Sequence, residues 1–142
     1  MTFEFTTEVA VRYKDIDSYG HVNNVTYGTY LEEARIDYLE AVVGRENSSS
    51  LLSTGADGGT GIVIANLEID FERPVTMTDS VTVGVRVAGM GEKSFVLEYE
   101  LRDDGAVAAT GETTVVTYDR DEEAPRPIPA SWREAIAEFE AL

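Results

Sequence analysis

The sequence predicts an α+β fold: a long central helix wrapped by a curved antiparallel sheet, with a short C-terminal helix. Three observations carry this. Four segments in the second half alternate apolar and polar residues, as half-buried strands do. One segment, from about Asn24 to Val43, instead repeats its apolar residues at helical spacing. Asp104-Gly105 then joins two alternating segments with the residue pair that tight hairpins prefer. At 142 residues the chain suits a single domain, 1–142, large enough to bury its own core.

Taken in order, EVAVRYK is the first expected strand, with Val9, Val11 and Tyr13 on one side and Ala10, Arg12 and Lys14 on the other. The helix follows, with Tyr27, Tyr30, Leu31, Ala34 and Tyr38 along one stripe. Asn23 or Asn24 serves as its N-cap and Gly44 as its stop. Residues 45 to 61, rich in Ser and Gly, read as a loop or lid. The second strand ends at Pro74 and puts Val63, Ala65, Leu67, Ile69 and Phe71 on one face. A third carries Val81, Val83, Val85 and Val87, and a fourth Phe95, Leu97, Tyr99 and Leu101. A last strand, AVAATGETTVVTYD, precedes the proline run of Pro125, Pro127 and Pro129. Ser131 is the expected cap of the closing helix. One helix cannot cover such a sheet, and the sheet edges stay open. Both point to an oligomer that continues the sheet across subunits; the expected form is a homodimer, with a dimer of dimers (tetramer) as the alternative.

Composition removes several function classes. Without cysteine there is no thiolate metal site, disulfide or cysteine nucleophile, and a single histidine cannot build the usual zinc constellations. Neither a signal peptide nor an apolar span of membrane length is present, so the expected location is the cytoplasm. The chain has 27 acids against 11 basic residues, a formal charge of −16, which repels nucleic acid and anionic membranes. Acid enrichment with only two lysines, Lys14 and Lys93, resembles proteins adapted to a salt-rich cytoplasm.

The densest polar stretch is DIDSYGHVNN, residues 15 to 24, between the first strand and the helix. A calcium loop would use Asp15, Asp17 and Gly20, but Tyr19 and Thr26 stand where further ligands belong. A plain strand-to-helix turn uses the same residue types, with Asn-Asn as a cap and His21 as a surface residue. A catalytic reading needs more. Unpaired N–H groups around Val22 to Asn24, at the positive pole of the helix, would polarise a carbonyl oxygen. Asp17 would attack the same carbonyl or activate a water beside it. Gly20 would allow a close approach of backbone to substrate. Residue chemistry leaves the turn and the site both open.

RYKDIDSYGHVNNVTYGTYLEEAR, residues 12 to 35, resembles the signature of hotdog-fold acyl-CoA thioesterases of the 4-hydroxybenzoyl-CoA thioesterase type. Members share an Asp-x-Asp-x-x-Gly turn followed by a helix written Tyr-x-x-Tyr-x-Glu-x-Ala-Arg. The matching positions are Asp15, Asp17, Gly20, Tyr27, Tyr30, Glu33 (offset by one in some members), Ala34 and Arg35. The strand order matches the hotdog pattern through residue 119. The resemblance implies hydrolysis of an acyl-CoA to free acid and coenzyme A, with no cofactor and no metal. It makes Asp17 the catalytic carboxylate and the N–H near Asn24 the polarising donor. Many members carry a histidine where this chain has Asn24, and an aromatic or proton-donating residue where it has Tyr13. Asn23 and Asn24 would orient Asp17 and the attacking water, while His21 either shuttles a proton or serves the turn. Lys93-Ser94-Phe95 matches a Lys-Ser-Phe that the type enzyme uses near the phosphates of coenzyme A, although Gly91-Glu92 replaces the arginines preceding it there. Lys93 is thus either a phosphate contact or a solvated hairpin lysine, and Arg73, Arg102 and Arg126 are further cations for that task. A non-catalytic acyl-CoA binding or sensing module is the second reading, and a hydratase on the same fold a third.

Overall fold

The computed structural model describes residues 3–44 and 60–142. The expected loop over 45 to 61 therefore lies largely outside the described residues. In chain order the elements are β1 (Phe5–Ala10), a single 3₁₀ turn (Tyr13–Asp15), α1 (Thr26–Val42), β2 (Thr60–Phe71), β3 (Ser80–Met90), β4 (Ser94–Asp103), β5 (Ala106–Asp119), β6 (Ala124–Pro125) and α2 (Ala130–Glu140). They form one antiparallel sheet in the order β1-β3-β4-β5-β2, with β6 added beside β5. This is the expected α+β arrangement of a long helix on a sheet with a short closing helix.

The core lies between α1 and the inner face of the sheet. Val81, Val83, Val85 and Val87 meet Phe95, Leu97, Tyr99 and Leu101 there, all buried as their alternation requires. From α1 come Tyr27, Tyr30, Leu31, Ala34, Tyr38 and Leu39. The aromatic stripe is thus a packing surface first. Its hydroxyls all find partners, because a buried O–H without one would cost stability. Tyr30 donates to Asp15 and Tyr38 to Glu140 at 2.6 Å, while the N–H of Val75 donates to Tyr27.

Several local expectations are corrected. β1 starts earlier than expected and stops at Ala10, because the chain turns at Tyr13–Asp15; Tyr13 is 87% exposed and does not share the inward face of Val9 and Val11. β2 carries a bulge between Ile64 and Asn66. The extra residue resets the alternation: Ile62 and Ile64 oppose the buried Thr117 and Val115, so they share the inner face with Leu67, Ile69 and Phe71, and Val63 lies on the outer face. Ser131 does not cap α2. The helix begins at Ala130 behind Pro129 with no side-chain cap, leaving Ser131 inside its first turn. Asp104 and Gly105 do form the expected hairpin, with φ of 51° and 81°.

Candidate active site

Residues 15 to 24 form a small hairpin rather than a loose turn. Its closing bonds are Asn23 N–H to the Asp15 carbonyl at 2.9 Å and Asp17 N–H to the His21 carbonyl at 2.8 Å. Gly20 N–H returns to the Asp17 carbonyl at 3.0 Å, and Gly20 takes φ +82°, a conformation that costs an L side chain. Gly20 therefore serves the turn and is not among the groove-lining residues; the close-approach role is not where the structure places it. The hairpin is fastened to the body by Val22, which is buried and donates its N–H to the Val75 carbonyl at 2.8 Å.

The two aspartates have separate duties. Asp15 is buried, and its Oδ2 accepts from the Arg12 N–H at 2.9 Å and the Tyr30 hydroxyl at 2.7 Å. Burial alone would raise its carboxyl. These donors, with the charges of Lys14 and Arg12, outweigh burial and hold it below the ordinary carboxylate value. Asp17 is half-buried. Its Oδ1 accepts from the N–H groups of Tyr19 at 2.9 Å and His21 at 3.4 Å, while its Oδ2 has no hydrogen-bond partner among the described residues.

At the helix start the donors are also sorted. Val22 and Asn23 spend their N–H groups on Val75 and Asp15; the N–H of Val25 goes to the Asn23 side chain at 2.9 Å, and that of Thr26 to the Asn23 carbonyl. The N-cap position of α1 is Val25, with no side-chain cap, rather than Asn23 or Asn24; Asn23 instead holds the turn two residues before it. Of the three amides expected at the positive pole, only that of Asn24 lacks an acceptor among the described residues.

Asp17, His21, Val22 and Asn24 line one groove of about 390 Å³, together with Tyr19, Tyr27 and the segment 71–74 from the end of β2. Tyr27 and Phe71 meet edge to face at 4.9 Å and give it an aromatic wall. Of the β2 end, sequence reasoning singled out only Arg73, as one of several cations for the coenzyme A phosphates; it missed Phe71 and Glu72 as groove residues, although Pro74 marked the place where that strand leaves the sheet. Tyr13 is not among the lining residues. Lys93 and Ser94 lie elsewhere, in the β3–β4 turn, where the Lys93 carbonyl accepts from Thr117 and the Ser94 carbonyl from Gly91. The 11 residues of β3 separate that turn from the Asp17 hairpin, roughly 30 Å within one copy of the chain. Among the described residues no group of three His, Cys, Asp or Glu side chains gathers to hold a metal.

A tyrosine-rich helix held against an antiparallel sheet is the hotdog arrangement, and the chain's relatives make it a thioester hydrolase. The chain belongs to the thioesterase-like superfamily, whose profile matches residues 11–136. It is 31% identical over 135 residues to the long-chain acyl-CoA thioesterase FadM of Escherichia coli K12, covering 94% of this chain and 97% of that protein. Among solved structures it is similar to a Thermus thermophilus thioesterase complexed with coenzyme A and zinc, at 32% identity and a TM-score of 0.82, covering 99% and 96% of the two chains. A gentisyl-coenzyme A thioesterase matches at 27% identity and a TM-score of 0.82, covering 94% of this chain and 100% of that one.

Proposed function

We propose that this thioester hydrolase cleaves acyl-CoA with Asp17 as nucleophile or general base and the Asn24 amide as the donor to the thioester carbonyl. One observation carries the reading: a carboxylate oxygen and a helix-start N–H, each without a hydrogen-bond partner among the described residues, belong to residues of the same groove. The Asx-type bonds at Oδ1 hold Asp17 in place and leave Oδ2 for a water or for the acyl carbon. As negative charge builds on the carbonyl oxygen, the N–H of Asn24 and the positive end of the 17-residue α1 stabilise it. In the general-base version Asp17 takes a proton from water, the hydroxide adds to the acyl carbon, and the thiolate of coenzyme A leaves and is reprotonated. His21, which is among the groove-lining residues, is the group for that last transfer. The acyl-CoA relatives support the substrate class.

Asp17→Asn is the decisive variant, because asparagine keeps an acceptor for the Tyr19 and His21 amides and so preserves the hairpin. We expect thiol release from acyl-CoA to fall at least about a hundredfold, in line with loss of a catalytic base or nucleophile. Equal rates for the two proteins would remove Asp17 from the chemistry. Acyl-CoA binding by wild type without thiol release would instead favour a sensing module.

We also propose a homodimer built on β2. It is an edge strand of 12 residues that exposes Val63, Ile64, Leu67 and Phe71, and a free edge of that length and polarity is a template for a second copy.

A further inference from the structure

In a chain with 27 acids and 11 basic residues, an arginine without a carboxylate beside it calls for an explanation. Arg102 is held by Glu100 and the Gly105 carbonyl, and Arg126 by the Thr60 hydroxyl at 2.6 Å. Arg12 pairs with Glu33 and Arg86 with Glu98. The guanidinium of Arg73 makes no hydrogen bond or ion pair among the described residues. Its backbone, by contrast, is fastened. The N–H groups of Glu72 and Arg73 both donate to the Ala108 carbonyl, at 2.9 and 3.2 Å. Pro74 follows, and the carbonyl of Val75 receives Val22 from the Asp17 hairpin. The fixed backbone sets where the guanidinium can reach, while the head has no partner among the described residues to give up when it meets a ligand.

Arg73 borders the Asp17 groove on one side and a second groove of about 560 Å³ on the other. That second groove carries Glu8, Asp103 and Asp104, and Glu8 is kept ionised by the Ser80 and Thr82 hydroxyls at 2.7 and 2.8 Å. The Asp17 groove is acidic too, with Asp17 and Glu72, so charge alone does not choose between them; the Asn24 amide and the Tyr27–Phe71 wall place the thioester, and with it the ligand of Arg73, in the Asp17 groove. We propose that Arg73 is a substrate-binding residue that seats an oxyanion of the thioester, a phosphate or a carboxylate, at the rim of the Asp17 groove. The inference rests on the reading of that groove as a thioester site. A guanidinium fork matches two oxygens of either group, which a lysine in its place would not.

The test compares wild type, Arg73→Gln and Arg73→Lys on four thioesters: butyryl and succinyl groups, each carried by coenzyme A or by N-acetylcysteamine. For Arg73→Gln we expect KM to rise about tenfold on the anionic partner of the fork, with the change falling more on KM than on kcat, and Arg73→Lys to recover only part. A rise on both coenzyme A thioesters and neither N-acetylcysteamine thioester assigns the phosphate. A rise on succinyl but not butyryl with both carriers assigns the carboxylate. Calorimetric titration of coenzyme A and of succinate needs no turnover. Lost affinity in Arg73→Gln with affinity kept in Asp17→Asn supports the oxyanion seat even if Asp17 proves dispensable for hydrolysis. Unchanged KM on all four thioesters together with unchanged affinities overturns it.

Discussion

Asp15 and Asp17 stand two positions apart and end in opposite environments. The buried carboxylate of Asp15 ties the 3₁₀ turn to α1 through Tyr30, and removing it leaves the Tyr30 hydroxyl without an acceptor. We expect Asp15→Ala to lower stability by about 1–3 kcal/mol in urea unfolding at neutral pH. The pH dependence follows from the lowered carboxyl. A group that binds its proton less readily when folded stabilises the fold above its ordinary value of 3.8 and loses that contribution as the pH falls through the folded value. The gap between wild type and Asp15→Ala should therefore be full near neutrality and shrink below pH 3.8; a gap independent of pH would show that the carboxylate is not held ionised. Little of this was legible beforehand. The Asp-x-Asp-x-x-Gly pattern singled out both acids, and helical spacing put Tyr30 in the core. That the Tyr30 hydroxyl spends itself on Asp15 rather than on a substrate depends on a contact 15 positions apart in the chain.

Among the elements, α2 shows how a short segment can complete a core made by others. Trp132 and Ile136 are buried, Phe139 meets Tyr38 edge to face at 5.9 Å, and Glu140 accepts from both the Tyr38 hydroxyl and the Val87 N–H. Burial first, and then the Glu140 carboxylate, push the Tyr38 hydroxyl well above its ordinary range, so it stays a donor. Glu140→Ala strands both donors, and we expect a loss of about 1–3 kcal/mol in urea unfolding, with Glu140→Gln recovering part. No change in the midpoint would mean that water replaces Glu140 without penalty. Alternation predicted the inner faces of β3 and β4 because nothing interrupts their period along the buried stretch. It misplaced Val63 because the bulge at Ile64/Asn66 leaves no mark in the residue types themselves.

For the whole molecule, the formal charge of −16 and the apolar edge of β2 pull in opposite directions. Two copies repel at low salt, and screening over a few ångströms removes most of that repulsion. We expect sedimentation velocity to report a dimer that tightens as salt is raised, and Leu67→Glu, which puts a further acid on β2, to weaken it by at least about tenfold. A wild-type monomer at all salt concentrations would retire the β2 interface. From the sequence alone came the α+β class, the order of the elements, the valine and aromatic core positions, and the DIDSYGHVNN stretch as the place to look. Those properties are local or periodic, so each is written within a few consecutive residues. Tertiary structure alone decided which of the helix-start amides stays free, that Tyr13 turns to solvent, that Lys93 lies at the far end of the sheet, and that Arg73 lines the same groove as Asp17. These depend on which strand end meets which hairpin, and that is settled by burial and backbone pairing across the sheet rather than by spacing along the chain.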